Sequence, residues 1–233
     1  PSWAARLAAL YALSLGRPRV LVVSLESLLL RYMPVNFFHS RTLEIGKGSD
    51  YAPELLLEQA VEWGYERVTM VTRPGEMARR GDILDLYPAG YARPVRLEFF
   101  GDTLEEMRFF DAETQRSLQG CDELTLLPVS PLAFDAREAE ATRKRFDRMF
   151  AEGRIGENDC YSFKKTLDAG GAGLLPGCAL EAPSLFEDWL PQDCLWLLPG
   201  EADSAEALRD GRLALKERLE AEDAPLPELH AFL

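Results

Sequence analysis

The sequence predicts an α/β fold into which a small α+β domain with an antiparallel sheet is inserted. Three observations predict this class. A continuous apolar and β-branched run, RVLVVS at residues 19–24, lies between two helical patterns, as buried parallel strands do. Between residues 66 and 127 the pattern changes to short alternating runs separated by turn residues, which indicates an antiparallel meander. Strand and helix patterns resume after residue 128, so the sheet-rich part interrupts a larger α/β lobe.

The first part of the predicted lobe covers residues 1–42. WAARLAALYALS at residues 3–14 spaces its apolar side chains at helical intervals, and Gly16 is expected to end that helix. The predicted buried strand follows. LESLLLRYM at residues 25–33 is then predicted to be a second helix, with Ser24 as its N-cap.

The predicted inserted domain covers residues 43–128. RTLEIGKGSD predicts a strand that leads into a polar turn. APELLLEQAVEWGY has an apolar face at helical spacing and reaches Gly64 near its end, which predicts an amphipathic helix. The runs after it are predicted strands: ERVTMV at 66–71, GDILDLYP at 81–88, PVRLEFF at 94–100, LEEMRFF at 104–110 and ELTLLPV at 123–129.

The return segment, residues 129–233, is predicted to complete the α/β lobe. AREAEATRKRFDRMF at residues 136–150 predicts a charged helix that is anchored by one apolar face. CLWLLPG at residues 194–200 predicts a second buried strand, and DSAEALRDGRLALKERLEAE at residues 203–222 predicts a long final helix.

The composition is typical of a soluble globular protein, with 47% hydrophobic and 28% charged residues among 233. No run of 18 apolar residues and no basic segment before the first apolar run are present, so we expect no membrane span, no signal peptide and a cytoplasmic location. The four cysteines form no CxxC pair, and we expect them to be reduced and mostly packed. Because the sequence begins with Pro1 and not Met, we expect it to be a piece of a longer chain.

The charge is strongly negative but unevenly distributed. A formal net charge of −13 argues against nucleic-acid binding by bulk electrostatics. Residues 65–100 are an exception, because their 6 arginines outnumber their 5 acidic residues. This locally basic segment predicts a patch for an acidic protein partner, with a plain solvated sheet face as the alternative.

No motif in the sequence indicates catalysis. GKGS at residues 46–49 and GGAG at residues 170–173 lack the strand–helix context of a phosphate-binding loop. The two histidines, His39 and His230, do not complete a convincing catalytic triad, and with the scattered cysteines they make a zinc site improbable. We therefore expect no enzyme, no cofactor and no metal.

Two adjacent phenylalanines point to a binding surface. In PVRLEFF the side chains alternate, so Phe99 is expected in the core, whereas Arg96 and Phe100 share the opposite face. A hairpin across PAGYAR would bring Arg80 and Arg96 together on that face, while Arg79 would face the other way. Arginine with an aromatic residue is the composition of interface hot spots. The alternative is that Phe100 packs under a loop while the arginines pair with neighbouring acids, Glu98 and Asp82.

The stretch GEMARRGDILDLYPAGYARPVRLEFFGDTLEEMRFFDAETQRS, residues 75–117, resembles the UvrB-homology module. This module is shared by the excision-repair protein UvrB and by the transcription-repair coupling factors (Mfd), and its RGDILDLYP and RLEFFGD runs are long and specific. FFDAETQRSL followed by ELTLLPVSPLAF, and RYMPVNFFHSRTLEIGKG, are more similar to the coupling factors, with UvrB as the second choice. The resemblance covers most of the chain and fades in residues 151–233.

The resemblance implies a fold and a role in DNA repair. The α/β lobe is expected to be an incomplete, degenerate helicase domain, truncated at its start. The inserted domain is expected to bind UvrA and so to recruit nucleotide excision repair to stalled RNA polymerase. The alternative is a DNA-binding fragment of UvrB. In the full-length coupling factors the ATP-dependent motor and the contacts with RNA polymerase and DNA belong to other domains, so this chain is expected to be non-catalytic.

The resemblance also implies the site residues. The UvrA contacts map onto Arg80, Arg96 and Phe100, with both arginines offering planar, bidentate partners to carboxylates of UvrA. Phe99 is then a core residue. A carboxy-terminal domain masks this surface in the intact family protein, so the chain without it is expected to expose the surface constitutively.

Overall fold

The computed structural model describes residues 3–17, 20–171, 174–195 and 197, together with the separate residues 206, 209, 210 and 213. The chain divides into two compact units, Pro1–Ala9 with Phe38–Phe134 and Leu10–Phe37 with Asp135–Leu233. The division into three segments at residues 42 and 128 stays a prediction.

A six-stranded sheet dominates the first unit. Strands β2 and β3 pair in parallel, and every later neighbour pairs antiparallel, in the order β2-β3-β4-β5-β6-β7. A separate two-stranded antiparallel sheet joins β1 to β8. The strands are β1 Leu43–Gly46, β2 Glu66–Arg67, β3 Glu76–Arg80, β4 Ile83–Leu86, β5 Val95–Phe100, β6 Thr103–Phe110, β7 Ser117–Gly120 and β8 Glu123–Leu126.

The main core lies between one face of this sheet and the helix Pro53–Glu62. Pro53 occupies the first turn of this helix, where its missing N–H removes no helical hydrogen bond. Leu56, Leu57 and Ala60 form its buried face, as the apolar spacing predicted. Gly64 follows the helix with φ +91°, and a Cβ there would lie 2.7 Å from the Cβ of Ser130. The close approach therefore requires glycine.

The antiparallel meander is confirmed from β3 to β7, but its strand boundaries differ from the prediction. The strand predicted at 66–71 is wrong beyond Arg67, and the short β2 that remains is parallel to β3. Arg80 does not continue into the strand of Ile83, because Gly81 turns the chain with φ +63° and Arg80 pairs with Ile83 across the turn. The alternating pattern of the run RRGDILDLY does not reveal this turn, so it predicts one strand where the structure has the end of β3 and β4. The run ELTLLPV forms β8 and pairs with β1, outside the meander.

Helices and turns make up the second unit. Phe146 on α5 packs against Phe163 on α6 with ring centroids 5.1 Å apart. Tyr32 and Ser184 exchange backbone hydrogen bonds at 2.9 and 2.8 Å. In chain order the helices with described bounds are α1 Trp3–Ser14, α2 Leu25–Leu29, α3 Val35–His39, α4 Pro53–Glu62, α5 Ala136–Ala151, α6 Glu157–Asp168 and α7 Pro176–Ala179, with a short 3₁₀ helix at Phe186–Trp189.

The structure confirms the helix at residues 3–14, with Gly16 after it at φ +64°. It also confirms Ser24 as the N-cap of α2, which accepts from the Ser27 N–H. That helix ends at Leu29, well before the predicted end, because Leu30 takes an extended backbone conformation.

The buried parallel strand predicted at residues 19–24 is wrong over the residues that the structure describes. Val20 is 83% exposed and Val22 is 92% exposed. A buried strand needs neighbours that take its backbone hydrogen bonds, and residues 20–24 pair with no described strand. The degenerate helicase lobe therefore stays a prediction. The strand at 194–200 and the helix at 203–222 fall largely outside the described residues.

All four cysteines are free. Cys160 and Cys178 are buried, Cys121 is half-buried and Cys194 is exposed, so most of the cysteines are packed, as expected. Burial raises the pKa of Cys178 to about 12. Within the described ranges no helix is long and apolar enough to cross a membrane.

Candidate protein-docking surface

Two hairpin tips lie at the same end of the six-stranded sheet. Strands β3 and β4 are joined by Gly81–Asp82, and strands β5 and β6 are joined by Gly101–Asp102. Both glycines have positive φ, +63° and +62°, as two-residue hairpin loops with glycine at the first central position require. In an antiparallel meander every second connection lies at the same end of the sheet, and the β4–β5 connection lies at the other end. We call the two loops at the shared end the tip edge.

The residue before each tip glycine is a predicted site residue. Arg80 precedes Gly81 and Phe100 precedes Gly101. The two tips are also tied together, because the Phe99 N–H donates to the Asp82 carbonyl at 2.9 Å. Arg80 and Phe100 therefore stand at one edge of the sheet, about 12 Å apart, from two strand spacings and a stagger of two residues.

The alternation of Phe99 and Phe100 is confirmed. Phe99 is 6% exposed and belongs to the main core, whereas Phe100 is 76% exposed. The predicted alternative, in which Phe100 packs under a loop, is therefore not what the structure shows. A large aromatic side chain so exposed, at a tight turn, is a candidate anchor for a partner.

Register places Arg96 on the same face as Arg80, one row further from the tip edge. Arg80 is opposite Ile83, which is opposite Glu98. The following row, with Leu84 opposite Leu97, faces the core, and the next row on the face of Arg80 joins Asp85 to Arg96. Arg79 faces the other way, as predicted, and pairs with Glu54 of α4 at 2.7 Å. The hydrogen bond from Arg79 lowers the pKa of Glu54.

The guanidinium of Arg96 is engaged inside the sheet. Its Nε and Nη2 donate to the two carboxylate oxygens of Asp85 at 2.7 and 2.9 Å. The side chains are 16% and 3% exposed, and the guanidinium carbon lies 4.9 Å from the ring centre of Phe110. The hydrogen bond with Asp85 raises the pKa of Arg96. The bidentate fork expected to face a partner is thus occupied by Asp85, which leaves Nη1 for an outside group.

Arg80 is more accessible than Arg96. It is exposed, and its Nη2 donates to the Thr69 carbonyl at 2.7 Å. The ion pairs also differ from those predicted for the two arginines. Among the described residues Glu98 forms its ion pair with Arg108, at 3.4 Å, and not with Arg80 or Arg96. The structure thus brings Arg80 and Phe100 to the tip edge and sets Arg96 behind them.

Sequence reasoning missed Asp85 and Phe110, the two residues that hold Arg96. Asp85 stands between two leucines in the run ILDL, so its alternation with the core positions was visible. Its pairing with Arg96 depends on the register across the connection between β4 and β5, which no motif specifies.

Comparison with known proteins gives the family of the sheet-rich segment. Residues 43–131 match the family model described as the UvrB interaction domain. The chain is 34% identical over 212 residues to the transcription-repair-coupling factor of Escherichia coli (strain K12), which covers 90% of this chain and 18% of that protein. It is 33% identical over 194 residues to the factor of Haemophilus influenzae, with 82% and 17% covered.

A third relative matches over a shorter range. The transcription-repair-coupling factor of Bacillus subtilis (strain 168) is 31% identical over 144 residues, which covers 62% of this chain and 12% of that protein. The chain thus spans less than a fifth of the length of these relatives. Residues 43–131 match the UvrB interaction domain, and the chain is homologous to a segment of the transcription-repair coupling factors.

Proposed function

We propose that this chain is a non-catalytic interaction module of a transcription-repair coupling factor, which binds UvrA and recruits it to stalled RNA polymerase in nucleotide excision repair. The observation that carries the proposal is Phe100, 76% exposed at the tip edge beside Arg80, within the residues that match the UvrB interaction domain. The proposal includes a cytoplasmic location. It assigns the contacts with RNA polymerase and DNA to other domains of the full-length coupling factor.

The three proposed contact residues have different tasks. Phe100 supplies apolar area that leaves water when the partner covers it, at about 25 cal/mol per Å². Arg80 offers an accessible guanidinium to a carboxylate of UvrA. Arg96 is held by Asp85 and offers Nη1 from a fixed position, so it costs little side-chain entropy on binding.

The proposal is tested by calorimetric titration of purified UvrA with the 233-residue chain. Phe100→Ala is expected to weaken binding about thirtyfold, which corresponds to about 2 kcal/mol for an aromatic hot spot. Arg80→Ala is expected to weaken it by a smaller factor. Leu55→Ala is the matched control, because Leu55 is 65% exposed on α4.

Binding by the wild type that survives in Leu55→Ala and is lost in Phe100→Ala supports both the role and the site. Equal binding by Phe100→Ala and Leu55→Ala would move the interface away from the tip edge. Absence of binding by the wild type would overturn the proposed role of this chain.

A further inference from the structure

The segment Val68–Thr72, which we call loop 68–72, runs beside the proposed docking surface. It leaves β2, which is parallel to β3, and the Val68 N–H continues that pairing by donating to the Met77 carbonyl at 2.8 Å. Further along, the Thr69 carbonyl accepts from Nη2 of Arg80 at 2.7 Å. The loop therefore follows β3 as far as Arg80.

The returning arm of the loop is also fixed. Val71 is fully buried in a small cluster with Ala78 and Phe110, on the sheet face opposite the main core. The Val71 carbonyl accepts from Nε2 of Gln115 at 3.0 Å. The Thr72 N–H and hydroxyl both donate to the Glu76 carboxylate, at 2.7 and 3.0 Å. Both arms are thus tied to the sheet, and the loop turns at Thr69 and Met70.

Met70 stands at this turn and is 48% exposed. Its neighbour Val71 is fully buried, so this loop can bury an apolar side chain, yet Met70 stays half exposed. Methionine is enriched in interface cores, and its unbranched thioether side chain adapts to an irregular apolar surface. An exposed methionine on a loop anchored on both sides has the character of a contact residue.

The size of an ordinary interface connects Met70 to the proposed partner. A standard protein interface covers about 800 Å² on each partner, which corresponds to a patch with a radius of about 16 Å. Arg80 and Phe100 are about 12 Å apart, from two strand spacings and a stagger of two residues. Met70 directly follows Thr69, whose carbonyl accepts from Arg80. A patch of this radius centred on Arg80 therefore reaches both Phe100 and Met70.

We propose that Met70 is a further contact with UvrA, so that the docking surface extends from Phe100 across Arg80 to loop 68–72 and meets an apolar patch of the partner there. This inference rests on the proposed function. It assigns to the surface two apolar anchors, Met70 and Phe100, on either side of a charged one.

The test compares Met70→Ser with Leu55→Ser in calorimetric titrations of UvrA with the full 233-residue chain. Both side chains are exposed, 48% and 65%, so neither substitution should change the unfolding temperature much. Met70→Ser is expected to weaken binding at least about fivefold, the change for a contact worth more than about 1 kcal/mol. Leu55→Ser is expected to bind like the wild type. Met70→Leu keeps an apolar side chain and is expected to retain most of the wild-type affinity.

Hydrogen exchange gives a second measurement that needs no substitution. Bound UvrA is expected to slow the exchange of the amides in loop 68–72, and of Gly101 and Asp102 at the second tip. If Phe100→Ala weakens binding while Met70→Ser behaves like Leu55→Ser and loop 68–72 exchanges unchanged, the inference is wrong and the proposed function stands. If Phe100→Ala and Arg80→Ala also bind like the wild type, the interface lies elsewhere and the inference is wrong, and if the wild type does not bind UvrA, both proposals are overturned.

Discussion

Arg96 and Asp85 form a nearly buried, bidentate ion pair across strands β4 and β5, with donor–acceptor distances of 2.7 and 2.9 Å. The side chain of Asp85 is 3% exposed, and the guanidinium of Arg96 stacks on Phe110. Removing one partner of such a pair leaves a charge in a place where water cannot solvate it. The pair therefore connects a proposed contact residue to the stability of the sheet.

Arg96→Ala is expected to lower the free energy of unfolding by about 3–5 kcal/mol, because it leaves Asp85 buried and unpaired. Chemical denaturation of the 233-residue chain measures this loss. Arg80→Ala is the control, with an expected change within about 0.5 kcal/mol, since Arg80 is exposed and its side chain donates to the Thr69 carbonyl oxygen and not to a buried acid. Equal stability of the two variants would contradict the assignment of Arg96 as a structural residue.

The double variant Asp85→Ala/Arg96→Ala separates the pair from its surroundings. It is expected to lose less stability than the sum of the two single variants, because neither charge is then left alone. This matters for binding experiments. A loss of UvrA affinity in Arg96→Ala would combine the loss of a contact with the loss of stability, whereas in Arg80→Ala it would reflect the loss of a contact alone.

Two glycines with positive φ provide a comparison of steric and conformational cost. Gly101 at the second tip has φ +62°, and a Cβ there would meet nothing within 4 Å. Gly64 has φ +91°, and its Cβ would lie 2.7 Å from the Cβ of Ser130. Gly101→Ala is expected to cost about 1 kcal/mol of stability from the backbone alone. Gly64→Ala is expected to cost clearly more, because the chain at Ser130 must also move.

Thermal unfolding of both variants beside the wild type checks this order. Gly101→Asn should recover part of the loss, since asparagine tolerates the left-handed region. Similar unfolding temperatures for Gly64→Ala and Gly101→Ala would show that the contact with Ser130 is relieved at little cost.

The burial of Phe99 and the exposure of Phe100 could be predicted, because alternation along a strand is local and has a period of two. The partner of Arg96 could not. Local alternation left Asp82 and Glu98 as candidate acids, while the register across the connection between β4 and β5 sets Asp85 opposite Arg96. Pairing between strands depends on loop geometry, and no turn motif identifies it in this connection.

The run at residues 19–24 shows the same limit for burial. Its apolar, β-branched composition favours a strand, yet Val20 and Val22 are exposed in the structure. Composition predicts which side chains would gain from burial, but a buried strand also needs neighbouring strands. Loop 68–72 is a third example, because the apolar alternation of ERVTMV predicts a strand, whereas the contacts with Arg80 and Glu76 shape a loop.

Glu76 is expected to make the stability of the first unit depend on pH. It is 5% exposed, and burial alone would raise its pKa, but hydrogen bonds from Thr72 and Arg73 outweigh burial and hold the pKa below its ordinary value. A carboxyl whose pKa is lower in the folded state stabilises above its unfolded pKa, about 4.3. This contribution is lost as the pH falls through the lower, folded pKa.

Denaturation between about pH 7 and pH 3 measures this contribution. Glu76→Gln is expected to lower stability at pH 7 by about 1–3 kcal/mol and to flatten the fall toward acid pH. Glu66→Gln is the matched control, because Glu66 also pairs with Arg73 but is largely exposed. An acid transition of Glu76→Gln that parallels the wild type would assign the pH dependence to other carboxyls.

Salt should distinguish the two kinds of contact at the tip edge. In the proposed interface the exposed Arg80 acts on UvrA through charge, and at an ionic strength of about 1 M the Debye length falls to about 3 Å. Phe100 acts through apolar area, which salt does not screen. The affinity lost in Arg80→Ala is therefore expected to shrink between low and high salt, while the affinity lost in Phe100→Ala stays constant or grows. Calorimetric titrations of UvrA with both variants, at two salt concentrations, measure the difference, and equal salt dependence would show that Arg80 contributes by packing and not by charge.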